Sequence, residues 1–258
     1  MGTKGDSGDN GAAGGKPAYC KLQRKCHFRH ICNRLHEGPV ITGVLTKNYL
    51  RGQIIERGAT NYVMVIMRGL AISYLLQENG DKLVSCVLGV GDTIGETGAY
   101  LGADAGDYIF AATDLEVCVI PERAYMDVIG HDARLLVDVL AGTSNNTTNY
   151  VRQSWILQGT RIANRIERLF AMCLWRMHGD QEGALELAMT HETVGTIIHA
   201  ERANVSRALK KMEADGMVTL RPNSILIWTE KWRRSPRFKR QLSTMSELLG
   251  HHDADFLG

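Results

Sequence analysis

Between residues 40 and 121 short apolar runs alternate with turn signals. The runs fall at 53–55, 62–67, 71–76, 82–88, 108–112 and 115–120. They are separated by Arg57-Gly58-Ala59, Arg68-Gly69, Glu78-Asn79-Gly80-Asp81 and Gly89-Val90-Gly91-Asp92. Short strands at regular spacing with Gly and Asn turns predict a closed antiparallel barrel or roll, with Asn79-Gly80 as its clearest hairpin turn. Past Pro121 the glycines thin and helical periodicity takes over, over a short stretch at 123–129 and a long one at 132–157.

Along the long stretch Leu136, Leu140, Thr143, Thr147, Tyr150, Ser154 and Leu157 recur at alternating steps of four and three. That is the seam spacing of a two-stranded coiled coil. We read it as a dimerisation helix with a weak, partly polar seam that a bound effector can tip; a helix packed only on its own roll is the alternative. The next helix, 160–177, carries Ile162, Ile166, Leu169, Phe170, Cys173 and Leu174 on one face and Arg161, Arg165 and Arg168 on the other.

A short strand at 186–189 precedes Thr190, a residue type that caps helices. Residues 190–198 present Val194, Ile197 and Ile198 inward, His199-Ala200-Glu201 interrupts, and 202–215 resumes with Val205, Leu209 and Met212. Asp215-Gly216 closes that helix, and 217–220 with 225–228 form a hairpin about Arg221-Pro222-Asn223-Ser224. The order of helix, turn, basic helix and two-stranded wing predicts a winged helix-turn-helix that enters the major groove of double-stranded DNA. Its exposed set is Arg202, Ala203, Asn204, Ser206, Arg207 and Lys210. Arginine suits guanine, asparagine suits adenine, and Lys210 and Lys211 suit phosphate. Thr190 joins this set at the start of the first helix. A three-helix bundle with solvated charges is the plainer reading, and the ordered wing argues against it.

Composition agrees with this division. A chain of 258 residues has room for two domains. The class expected is α+β: a β-roll, a long helix and a C-terminal winged helix. The net charge of +2 is small, yet the basic residues gather in the second half, ending in Lys231, Arg233, Arg234, Arg237, Lys239 and Arg240. That last segment reads as a basic tail, either solvated or adding phosphate contacts. No apolar run approaches the ~20 residues that span a bilayer, and the first fifteen residues lack the pattern of a secretory signal. A cytoplasmic protein without a membrane segment is expected. No paired carboxylates, Ser-His-Asp context or Walker-type loop suggests an enzyme.

These pieces together resemble the Crp/Fnr family of bacterial transcription regulators, from about Thr42 to Trp228. The resemblance rests on Arg51-Gly52-Gln53-Ile54-Ile55-Glu56-Arg57-Gly58, Val65-Ile66-Met67-Arg68-Gly69, Glu78-Asn79-Gly80-Asp81-Lys82, Gly89-Val90-Gly91-Asp92-Thr93-Ile94-Gly95-Glu96 and Val205-Ser206-Arg207. It implies a cyclic-nucleotide-binding-type roll, a homodimer on a palindromic operator, and action on RNA polymerase. The expected segments are a flexible Cys-containing stretch at 1–39, the roll at 40–130, the dimerisation helix at 131–158, the winged helix at 159–230 and the basic tail at 231–258. Two departures stand in the reading head. Ala203 replaces a glutamate common in the family, and His199 replaces the usual turn glycine.

The same resemblance frames the signal. Gly95 and Glu96 of the effector loop are kept, but Gly106-Asp107-Tyr108 replaces the arginine that would hold a cyclic phosphate, which argues against cyclic AMP. Cys20, Cys26 and Cys32 with Cys118 resemble the ligands of oxygen-sensing Fnr proteins, which hold a 4Fe-4S iron-sulfur cluster. Cys20 departs in spacing, lying six residues before Cys26. Zinc held by these cysteines with His27, His30 or His36 is one alternative. A small organic effector against Asn146, Tyr150 or Trp155 is another, and a sensory module acting through a protein partner is a third. Cys86 and Cys173 read as core residues.

Overall fold

The computed structural model describes residues 26–31, 44–55, 62–96, 99, 107–177 and 183–249, with side chains described to residue 244. Cys20, Cys32, His36, Arg57 and Gly106 lie outside the described residues.

Eight strands form the roll: β1 (Leu45–Tyr49), β2 (Ile54–Ile55), β3 (Tyr62–Arg68), β4 (Ala71–Leu76), β5 (Lys82–Leu88), β6 (Thr93–Ile94), β7 (Tyr108–Ala111) and β8 (Leu115–Pro121). They lie in two antiparallel four-stranded sheets ordered β1-β8-β3-β6 and β2-β7-β4-β5. Strand alternation decides what each residue meets. Met64, Ile66, Cys86, Leu88, Ile109, Val117 and Val119 face the space between the sheets. Cys118 and Ile120 face the other side of their sheet, where Val63, Val65, Tyr125, Leu135, Phe28 and Ile31 form a separate apolar cluster. Strand β1 was not expected from the sequence. Leu45, Thr46, Lys47 and Asn48 are all exposed on the sheet edge, so burial imposes no alternation on them.

Helix α1 (Glu122–His131) and a 3-10 turn (Ala133–Leu135) lead into the long α2 (Leu136–Leu157). One face of α2, with Asp138, Gly142, Asn149, Arg152, Gln153 and Ile156, is buried. On the opposite face Leu136, Leu140, Thr143, Thr147, Tyr150 and Ser154 are exposed, together with Val137 and Val151. The Thr147 and Thr148 hydroxyls donate to the carbonyls of Thr143 and Ser144 one turn back, at 3.0 and 2.9 Å, which satisfies them without an outside partner.

The C-terminal part contains α3 (Ile162–Arg176), β9 (Ala184–Leu187), α4 (His191–Ile198), α5 (Arg202–Ala214), β10 (Val218–Arg221) and β11 (Ser224–Trp228). Strands β10, β11 and β9 form a three-stranded antiparallel sheet. Its core continues without a break onto the outer face of the roll: Leu70, Ile72, Tyr74, Val84, Val87 and Ala112 belong to the same apolar cluster as Phe170, Ile197 and Leu209. The segment read from sequence as a basic tail is helical instead, as α6 (Thr229–Arg234) and α7 (Pro236–Leu249). Trp232, Phe238 and Leu242 are buried in that core, with Trp232 edge-on to Phe170. Three apolar residues among many cations were too sparse a stripe to separate from solvated sequence.

Candidate functional site

The helix-turn-helix is fixed by a local cap and by bonds from the preceding helix α3. Thr190 caps α4, its hydroxyl accepting from Thr193 N at 3.1 Å. Its side chain is therefore committed to the helix start and is only half exposed. After α4 the chain reverses at His199, which adopts φ 52° and ψ 58°. That is the left-handed region, where a non-glycine residue carries a cost of about 1–2 kcal/mol. The turn holds because Arg165 donates to the carbonyls of Gly159, Ile198 and His199 at 2.8, 3.1 and 3.4 Å. Gly195 supplies the close approach: a Cβ there would stand 2.6 Å from the Ala200 carbonyl. Arg165 and Arg168 lie opposite the apolar stripe of α3, yet neither is left to solvent. Arg168 instead donates to Trp155 O at 2.6 Å and lies over its ring.

On α5 Val205, Leu209 and Met212 are buried, while Arg202, Ala203, Arg207, Lys210 and Lys211 are exposed. Asn204 and Ser206 are partly buried. The Arg207 guanidinium donates to the Asn204 side chain, which orients it along the helix. Ser206 bonds the His191 ring nitrogen Nδ1 at 2.8 Å. His191 was not among the sequence candidates. Burial holds its pKa below the ordinary value, and the Arg202 and Lys210 charges lower it further. The neutral ring on α4 thus sets the position of a serine on the reading helix.

The wing is tied to the roll by one carboxylate. Glu186 on β9 accepts from Ser224 at 2.7 Å and pairs with Arg221 at 3.0 Å and with Arg51 of the roll. The Ser224 and Arg51 bonds are the main causes that lower its pKa to about 2.

A second junction lies in the segment 89–96 around β6. Asp92, fully buried, accepts from Gly89 N at 2.7 Å and from Asn145 of α2 at 2.6 Å, and it pairs with Arg176 at the end of α3. One carboxylate therefore joins the roll, the long helix and the C-terminal domain. A Cβ at Gly89 would stand 2.7 Å from Arg176 Nε, so only glycine admits the guanidinium. Next to it Asn146 donates to Thr93 Oγ1 at 2.8 Å and to Glu96 at 2.6 Å. Burial raises the Glu96 pKa, opposed by its bonds from Thr93 and Asn146. Gly95 adopts φ +92°, and a Cβ there would meet the Tyr62 carbonyl at 2.6 Å. Further along α2, Gln153 donates to Ile197 O of α4 at 2.8 Å. Asn146 and Trp155, considered for an organic effector, are engaged in this packing. Trp155 is buried in the shared core. Asp107 accepts from Ser73 Oγ at 3.1 Å.

The stretch around the cysteines docks on α2. Asp138 accepts from His30 N and Ile31 N at 2.9 and 3.2 Å and from His30 Nδ1 at 2.7 Å. One turn later Gly142 receives the Phe28 ring, whose Cζ lies 3.0 Å from where a Cβ would stand. This docking brings Cys26 and Cys118 against the same apolar cluster. His30, a candidate zinc ligand, gives Nδ1 to Asp138. Cys86 and Cys173 are buried, and burial pushes both thiols up to about 12. No group of three or more His, Cys, Asp or Glu residues arranged to hold a metal occurs among the described residues. No helix among them is long and apolar enough to cross a membrane.

Residues 160–230 match the Crp-like helix-turn-helix domain model. The chain is 24% identical over 178 residues to the cAMP-activated global transcriptional regulator CRP of Pasteurella multocida, covering 67% of this chain and 83% of that one. It is 19% identical over 168 residues to the cAMP-activated regulator Vfr of Pseudomonas aeruginosa, covering 63% and 78%. Among solved structures it is similar to TTHB099, a CRP-family transcriptional regulator of Thermus thermophilus, with a TM-score of 0.59, 17% identity and coverage of 76% and 95%. A CRP/FNR-family regulator of the same organism, TTHA1359, aligns with a TM-score of 0.56, 20% identity and coverage of 76% and 97%. With its roll, long helix and winged helix-turn-helix, the chain shares the fold of these CRP/FNR-family regulators, and its residues 160–230 match the Crp-like helix-turn-helix domain.

Proposed function

We propose that this regulator works as a homodimer on a palindromic operator, acts on transcription by RNA polymerase, and reads oxygen or redox state through its cysteines. The observation that carries the signal is the packing of Cys26 and Cys118 against one apolar cluster at the start of the long helix, where Asp138 anchors the segment that carries Cys26 and strand β8 carries Cys118. These two thiols would hold two corners of a 4Fe-4S cluster, with Cys20 and Cys32 supplying the others. Such a cluster supplies oxygen-labile redox chemistry, and the chain's own part is mechanical. A change at residue 26 passes through Phe28 to Gly142 and through His30 to Asp138, both on the buried face of α2. The same helix grips the effector loop through Asn145 and Asn146 and the reading head through Gln153.

Cyclic AMP fits this roll poorly. Its phosphate would meet Asp107 and the buried Glu96, and Asn146 already occupies the Glu96 carboxylate. In this reading the chain divides into a cysteine segment to residue 39, a sensing roll at 40–130, a dimerisation helix at 131–158 and a reading domain from 159. Within the reading domain Arg202 and Arg207 approach base edges, Asn204 and Ser206 set their positions, and Lys210 and Lys211 meet phosphates. Thr190 contributes as the cap of α4.

Protein purified without oxygen is expected to contain iron and acid-labile sulfide and to show broad visible absorption that bleaches in air. Cys118→Ala is expected to lose both. Colourless wild-type protein lacking iron and sulfide would remove the cluster from the proposal and leave DNA binding intact.

A further inference from the structure

Helix α7 and most of α6 lie beyond residue 230, where the match to the helix-turn-helix domain ends. They are built into the reading domain all the same, through Trp232, Phe238 and Leu242. Between α3, α5 and α7 runs a cleft of about 280 Å³. Its charged lining is Arg161 of the α3 entry, Glu167 of α3, Lys211 and Asp215 at the end of the reading helix, and Arg237 and Arg240 of α7. Arg237 is used internally, pairing with Glu167 at 3.1 Å. Arg161, Lys211 and Arg240 are exposed and have no ion-pair partner among the described residues. Three available cations against the single carboxylate of Asp215 leave the cleft positive.

Its position along the reading helix gives that charge a use. At 100° per residue, Ala203, Arg207 and Lys210 cluster on the side of α5 away from the core, and Ala208 and Met212 turn toward α3 and α7. Lys211 falls between the two groups. The cleft therefore opens along one flank of the helix that enters the groove. A helix in the major groove is bordered by the phosphates of both strands, and contacts to them fix its register.

Resting on the DNA-binding reading, we propose that Arg161 and Arg240, with Lys211, form a second phosphate-binding arm. It grips the DNA backbone beside the half-site and is completed by the C-terminal helix. Arg161 and Arg240 contact phosphate and add affinity for duplex DNA without adding base preference.

The test uses full-length protein and the operator that wild type selects from random duplexes. Affinity is measured across a salt series for wild type, Arg161→Ala, Arg240→Ala and the double variant. Each lost phosphate contact reduces the slope of log affinity against log salt by about 0.9. The double variant is expected to lose about twice that, with unchanged base preference at every position. Arg207→Ala is the contrast, since it relaxes preference at its own base pair. Ethylating operator phosphates is also expected to interfere with wild-type binding at positions flanking each half-site, and to do so without any variant having to fold. A double variant with the wild-type slope and a wild type indifferent to flanking ethylation would overturn the arm while leaving DNA binding standing. Loss of transcription at an unchanged salt slope would overturn it too, because the cleft would then serve a protein partner. A wild type that binds no duplex in air or without oxygen would remove the DNA reading itself.

Discussion

At the scale of single residues, the reading head is strained where its geometry is tightest. His199 occupies a left-handed position that glycine enters freely, and Arg165 compensates by bonding the carbonyls on either side of the strain. His191 adds a titrating group beside the DNA-reading face. Its folded pKa is lowered, so the unfolded chain binds the proton more readily. Protonation therefore costs stability as pH falls below about 6.5, through the lower folded value. Comparing denaturant midpoints of wild type and His191→Gln from pH 8 to pH 5 isolates this residue. The wild type's advantage over the variant is expected to narrow as pH falls, and a gap that widens would show that the ring is charged in the folded state.

At the scale of elements, α2 carries two distinct faces. The buried one bonds the roll and the reading head, and the exposed one repeats Leu136, Leu140, Thr143, Thr147, Tyr150 and Ser154 along the helix. Leu140 is 68% exposed and Val137 67%. A row of that kind on a helix of 22 residues suits a second copy of the same helix. Leu140→Glu places like charges across such a seam. The variant is expected to run as a folded monomer by light scattering, with operator affinity at least tenfold weaker. A dimer that persists would move the interface elsewhere. The threonines bond their own helix, which makes the seam adjustable because pulling it apart exposes few unsatisfied groups.

At the scale of the whole molecule, the roll and the reading domain share one continuous core, crossed by the buried pair of Asp92 and Arg176. Removing one partner of such a pair leaves an uncompensated buried charge and costs about 3–5 kcal/mol. Arg176→Met is expected to lose stability in that range in urea melts. Asp92→Asn combined with Arg176→Met should recover most of it, since no charge then remains buried. Equal losses in the single and double variants would mean that the pair contributes through packing alone. If the cysteines set DNA affinity as proposed, the double variant is also expected to bind operator with less dependence on their state, because Asn145 bonds the same Asp92.

Much of this protein was legible along the chain. Short apolar runs between Gly and Asn turns marked the roll, since its central strands β3 and β4 are buried over four consecutive residues. The four-three repeat marked the exposed face of α2, and the apolar spacing with its short interruption marked the helix-turn-helix. Residue type named the cations of the reading helix, because a charge that is not spent internally must face solvent or a ligand. What the sequence could not show was which charges are spent. Arg165, Arg168 and Arg176 have the same chemistry as Arg202 and Arg207, and only packing commits the first three to carbonyls, a ring and a carboxylate. The same holds for His191, Asp138 and the C-terminal helix, whose partners lie 15, 108 and roughly 60 to 70 residues away along the chain. Local pattern reports the period of burial, which the backbone sets residue by residue. Long-range partnership depends on how the elements close on one another, and that was decided only when the roll, the long helix and the reading domain came to share a core.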